Sequence, residues 1–202
     1  MSEDVTATLE ATLITEVARM YEQVATHPDG DYHFYIGRRA AEMYGYRAED
    51  LDATPAGAVV AFAGVGCPIE RARFKPGERV VDLGSGAGLD ALIAACAVGP
   101  GGRVVGIELN PVMIERAGAH ARELGASHAE FRQGRIEEPP IDDGFADVVI
   151  SNGVINLSFR KGKVIKEVFR ILRPGGRVSI VDVVSARPLA QSIVNDPKLW
   201  AS

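Results

Sequence analysis

Asp82, Gly84, Gly86, Gly88 and Glu108 are the residues whose types and spacing could together do chemistry. The turn Gly84-Ser85-Gly86-Ala87-Gly88 follows the apolar run Val80-Val81-Asp82-Leu83 and leads into the apolar stretch Leu89 to Val98. A glycine turn between a strand and a helix lets backbone N–H groups approach an anionic ligand group at the helix start. Glu108 stands twenty positions past Gly88, at the end of a second apolar run, Val104-Val105-Gly106-Ile107. An acidic side chain at that strand tip can accept both hydroxyls of a ribose. The set reads as a nucleoside-binding βαβ unit.

The glycine spacing selects among nucleosides. A dinucleotide site uses G-x-G-x-x-G, because a pyrophosphate must lie over the helix start. Here the spacing is G-x-G-x-G, with Asp82 two residues before the first glycine. The segment Asp82-Leu83-Gly84-Ser85-Gly86-Ala87-Gly88 resembles motif I of the class I S-adenosylmethionine-dependent methyltransferases. Gly134-Arg135-Ile136-Glu137 resembles the family segment that meets the adenine, and Leu109 would cover the other face of that ring. Asn152 ends a further apolar strand, at the sheet edge where doubly wound folds bind ligands. Leu172-Arg173-Pro174-Gly175-Gly176 resembles the family's helix-to-strand turn. The resemblance implies S-adenosyl-L-methionine as cofactor. It implies a cofactor site built from Asp82, Gly84, Ser85, Gly86, Glu108, Leu109, Ile136, Glu137 and Asn152.

A narrower likeness covers roughly Tyr44 to Ser202. Ser151-Asn152-Gly153-Val154-Ile155-Asn156-Leu157, Gly64-Val65-Gly66-Cys67-Pro68 and Asn195-Asp196-Pro197-Lys198-Leu199-Trp200-Ala201 resemble the arsenite methyltransferases. That family binds trivalent arsenic through cysteine thiolates, since a soft metalloid needs soft ligands. This chain has Gly153 where one family cysteine falls and Val65 where another falls, and a third follows the Trp200 motif in the family. Cys67 is a displaced ligand or, more simply, a small apolar residue in a loop. Cys96 reads as a core residue on an apolar helix face.

Methyl transfer asks the protein chiefly for positioning. A base is needed only when the acceptor must lose a proton first. Family members close their acceptor pocket with an N-terminal cap. Tyr32, His33 and Tyr35 are the candidates there, with Tyr35 and His33 assigned as catalytic. His27, His120 and His128 have no partner at metal-ligand spacing, so no metal site is read.

Positioning these groups requires an α/β sheet. From Arg79 onward, strands and helices alternate, the signature of a parallel Rossmann-like sheet. The strands read are Arg79–Leu83, Arg103–Ile107, Ala129–Arg132, Ala146–Ser151 and Arg177–Val184. Helices are predicted over Thr12–Ala25, from Gly37 to about Tyr44, over Leu89–Val98, from Pro111 to Gly125, and over Lys161–Leu172. The last is read as burying Val164, Ile165, Val168, Phe169 and Leu172. Thr54 to Pro68, rich in Gly and Ala, reads as a flexible connection. The predicted organisation is an N-terminal helical cap, 1–60, on a cofactor-binding core, 61–202, whose C-terminal strands are read as missing. The run Val178–Val184 would then be an apolar edge strand, which invites association and predicts a dimer.

Composition narrows the partners. The 202 residues suffice for one domain with a sizeable core, and 47% hydrophobic with 24% charged residues is ordinary for a globular chain. A net charge of −5 without a long basic run argues against nucleic acid. The Ala56–Gly66 stretch is too short and glycine-rich to span a bilayer, the acidic N-terminus lacks a signal-peptide core, and two distant cysteines suit a reducing cytoplasm. The reading is S-adenosylmethionine-dependent methyl transfer to a small-molecule acceptor. The alternatives are an arsenite or other metalloid methyltransferase, and a catalytically idle cofactor-binding module.

Overall fold

The computed structural model describes residues 35–187, together with Thr12, Thr15, Glu16, Arg19 and Met20, which are helical. The rest of the predicted first helix, Tyr32, His33 and the tail from residue 188 lie outside the described residues. Four short helices open the described part: α1 (Gly37–Met43), α2 (Ala48–Asp52), α3 (Ala56–Val60) and α4 (Ile69–Ala72). The alternating part follows: β1 (Arg79–Leu83), α5 (Leu89–Val98), β2 (Arg103–Glu108), α6 (Pro111–Leu124), β3 (Ala129–Gln133), β4 (Ala146–Asn152), α7 (Lys161–Ile171) and β5 (Leu172–Val181).

The five strands form one sheet in the order β3-β2-β1-β4-β5, and every pairing is parallel. The chain runs outward from β1 to β3, then returns past β1 to β4. That reversal puts a crevice beyond the carboxyl ends of β1 and β4, where Leu83 pairs with Ser151. The central strands carry continuous apolar runs, Val80-Val81, Val104-Val105 and Val148-Val149-Ile150, because both faces are covered there. On one face Val81, Leu83, Val105, Ile107 and Val149 pack with Val164, Val168 and Ile171 of α7. On the other, Val80, Val104, Val148 and Ile150 pack with Ala91, Ala94, Ala95 and Val98 of α5.

Local chemistry sets the helix ends. The Asn110 side chain accepts from the Val112 N–H at 2.8 Å, Pro111 opens α6, and Gly125 closes it at φ 72°. No described helix is long and apolar enough to cross a membrane.

Several expectations need correcting. Ile165 is 52% exposed and Phe169 84% exposed. The sheet reaches only the stripe Val164, Val168, Ile171, and the neighbouring stripe faces away from it. The segment read as a flexible connection contains α3, and its Ala58, Val59, Ala61 and Phe62 are buried. Small side chains let this segment lie close against α1 and α5, where Val59 and Phe62 join Ala40, Tyr46, Leu89 and Ile93. Cys96 is exposed, because α5 turns Ala95 and Val98 to the sheet and position 96 outward. Strand β5 starts at Leu172 and ends at Val181, so Val183 and Val184 lie beyond it. Arg173–Gly176 forms a bulge within that strand: Leu172 pairs with Ala146 and Arg177 with Val148.

Candidate functional site

A cavity lies over the carboxyl ends of β1, β2 and β4, lined on its other side by the segment 58–64. Its floor is the glycine turn. Gly84 has φ 77°, and a Cβ there would stand 2.7 Å from the Val154 side chain, so only glycine fits. The turn is anchored to the second strand, with Gly84 N–H and Ser85 N–H both donating to the Ile107 carbonyl, at 2.8 and 3.0 Å.

Glu108 meets this turn from β2. Its Oε2 accepts from the Gly86 N–H at 3.0 Å, and its Oε1 accepts from Leu109 and Asn110 N–H groups, each at 2.8 Å. Burial raises its carboxyl above the usual range, and these three backbone donors oppose the rise. A half-buried acceptor at the cavity wall is the geometry a ribose diol needs.

Eight of the nine predicted cofactor residues are brought together in this wall: Gly84, Ser85, Gly86, Glu108, Leu109, Ile136, Glu137 and Asn152. Asp82 is not in the wall. It is buried beneath the turn, its Oδ2 has no hydrogen-bond partner, and the Ser85 hydroxyl is likewise unpaired. Burial, then the nearby Asp90 and Glu108, hold the Asp82 carboxyl well above its usual range. Glu137 is buried and accepts from the Ser158 hydroxyl, with Arg135 3.5 Å away.

Asn152 is more heavily engaged than its sequence position suggests. Its Oδ1 accepts from the Val65 N–H at 2.9 Å. Its amide nitrogen donates to the Gly66 carbonyl at 2.8 Å, the Tyr46 hydroxyl at 3.0 Å and Asp90 Oδ2 at 3.1 Å. Tyr46 in turn donates to Asp90 Oδ1. Gly64 permits the arrangement, since a Cβ there would come within 2.4 Å of the Asn152 amide nitrogen. Asp90 lines the cavity, and burial pushes its carboxyl up to about 6 against the opposing bonds from Tyr46 and Asn152. Asp90, Tyr46, Phe62 and Ala63 carry no assigned role in the sequence reading. The available signal was Asp90 itself, one charged residue inside the run Leu89–Val98.

Of the two residues assigned as catalytic, Tyr35 is 56% exposed, does not line the cavity, and has the Arg39 guanidinium 5.6 Å from its ring centre. His33 lies outside the described residues. Cys67 is half-buried among Tyr46, Phe62 and Ile69, and burial raises its thiol. Gly153 and Val65 face each other, since a Cβ on Gly153 would touch both Val65 methyls at 3.3 Å.

Comparisons with known proteins converge on one family. The methyltransferase domain family matches residues 74–202. An arsenite methyltransferase of Halobacterium salinarum is 43% identical over 159 residues, covering 78% of this chain and 40% of that protein. A demethylmenaquinone methyltransferase of Lactococcus lactis is 36% identical over 107 residues, covering 52% of this chain and 42% of that one. Among solved structures, an arsenic(III) S-adenosylmethionine methyltransferase from Chlamydomonas reinhardtii aligns with a TM-score of 0.62 at 38% identity, covering 80% of this chain and 53% of that one. The chain thus spans less than two thirds of the length of these relatives.

Proposed function

The chain belongs to the methyltransferase domain family, in the class I S-adenosylmethionine-dependent branch close to the arsenite methyltransferases, and on that premise we propose that it transfers a methyl group from S-adenosylmethionine to a small-molecule acceptor. The observation that carries this reading is Glu108, held by three backbone N–H groups beside the Gly84–Gly88 turn. In this reading Glu108 takes the ribose hydroxyls, Leu109 and Ile136 flank the adenine, and the glycine turn leaves room for the rest. The bound cofactor supplies a methyl group already activated by its positively charged sulfur. The chain's own work is to bind, orient and exclude water. Tyr35 and His33 enter the proposal only for an acceptor that must first lose a proton.

A second reading, arsenite as acceptor, is favoured by the names of the relatives. The facing pair Gly153 and Val65 weighs against it, because it offers hydrogen and methyl groups where that family has thiolates. Incubation with methyl-labelled S-adenosylmethionine and a panel of amine, hydroxyl, thiol and arsenite acceptors tests both readings. The expected result is label on an organic acceptor and none on arsenite. Robust arsenite methylation that Cys67→Ser abolishes would overturn this choice. Cofactor binding with no methyl loss across the panel would favour the idle module.

The proposal includes a second copy of the chain as partner. Val178 and Ile180 on the β5 edge are 48% and 37% exposed, and such an edge favours pairing. Light scattering on the pure chain should give a dimer's mass. A well-behaved monomer would refute it.

A further inference from the structure

We propose that Asp90 is the residue by which this chain distinguishes the cationic, methyl-bearing form of its cofactor from the neutral thioether left after transfer. The proposal rests on the S-adenosylmethionine reading and deepens it. Three carboxylates stand in the cavity wall: Asp90, Glu108 and Glu137. Glu108 is held by three backbone N–H groups and is the one assigned to the ribose hydroxyls. Glu137 takes the Ser158 hydroxyl and lies beside Arg135. Asp90 comes from the opposite layer, at the start of α5, and its side-chain partners are neutral.

Those partners define what Asp90 can offer. Oδ1 accepts from the Tyr46 hydroxyl and Oδ2 from the Asn152 amide. Its charge therefore reaches the cavity while much of its lone-pair capacity is already used. A primary ammonium has three N–H groups and seeks direct acceptors. A sulfonium has no N–H or O–H to donate, so a carboxylate stabilises it through the field of its charge. The Asp90 arrangement suits the sulfonium. Asp90 is buried, and at a buried site that field is screened less than in water.

The interaction is lost with the reaction. The acceptor's lone pair forms the new bond to the methyl carbon, the carbon–sulfur bond breaks, and its electron pair stays on sulfur. The sulfur is then neutral and Asp90 no longer favours it, so the product is held less tightly than the cofactor that entered.

The titratable groups facing Asp90 are Tyr46 from the turn after α1, Cys67 from the loop before α4 and Asp82 from β1. Burial holds all three toward their neutral forms. Burial raises Asp90 as well, to about 6. A bound sulfonium favours its ionised form, so the preference for the cation grows as pH rises through that value, and proton release accompanies binding there.

Titration calorimetry with S-adenosylmethionine and S-adenosylhomocysteine, from about pH 5 to about pH 8, tests this without turnover. The wild-type chain should prefer the sulfonium form, and the ratio of the two Kd values should shrink on acidification. Asp90→Asn should weaken S-adenosylmethionine on the order of tenfold and change S-adenosylhomocysteine by no more than about twofold. Equal losses for both ligands would assign Asp90 to their shared ammonium group and overturn the proposal. A wild-type ratio independent of pH would overturn it without any variant. Absence of binding by both ligands would remove the cofactor reading and this proposal together, an outcome distinct from a flat ratio.

Discussion

Replacing Glu108 by alanine should weaken S-adenosylmethionine binding by about 1–3 kcal/mol, roughly 5- to 150-fold in Kd. Two effects add. The variant removes the acidic acceptor from the tip of β2. It also strands the N–H groups of Gly86, Leu109 and Asn110, which the carboxylate now holds in place. Glu108→Gln separates them. It keeps one side-chain oxygen as an acceptor but replaces the other with a donor facing N–H groups, so its loss should be intermediate. Calorimetry on both variants, with a thermal melt to confirm folding, reads the result. A change below about twofold for Glu108→Ala in a folded chain would remove Glu108 from the site.

Asn152→Ala should destabilise the fold by about 2–3 kcal/mol, because several buried partners lose their hydrogen bonds at once. The Val65 N–H and the Gly66 carbonyl depend on this amide, and so does the pairing of Tyr46 with Asp90. The segment carrying Phe62 and Gly64 forms one cavity wall, so cofactor affinity should fall along with stability. Urea unfolding measures the first effect and calorimetry the second. Unchanged stability would mean that the wall is held by packing alone.

These two residues show how far the sequence could be read. Glu108 and the glycine turn were legible because their chemistry is local. Turn, strand tip and spacing all lie within one βαβ unit, and the strands announce themselves as continuous apolar runs between turn residues. The role of Asn152 was not legible. Its strand-end position pointed to the ligand, whereas its hydrogen bonds go to groups 62, 86, 87 and 106 residues away. No local pattern encodes such a meeting. Asp90 was hidden for the same reason, as a lone acid in an apolar helix whose partner Tyr46 lies 44 residues earlier.

Other differences have different physical causes. Residues 54–68 looked unstructured because Gly and Ala carry little periodicity, yet their small size is what lets them pack closely on α1 and α5. Ile165 and Phe169 have the spacing of a buried face, but a helix lying on one sheet buries one stripe only, and Val164, Val168 and Ile171 occupy it. The start of β5 was hidden because a proline and two glycines read as a break, whereas the strand carries them as a bulge.

In the proposed reading the Gly84–Gly88 turn and Glu108 form an S-adenosylmethionine site and not a dinucleotide site. Titration calorimetry of the wild-type chain with S-adenosylmethionine and with NAD tests it most directly. The expected result is saturable, one-to-one binding of S-adenosylmethionine, with no comparable heat from NAD. Preferential binding of NAD would contradict it.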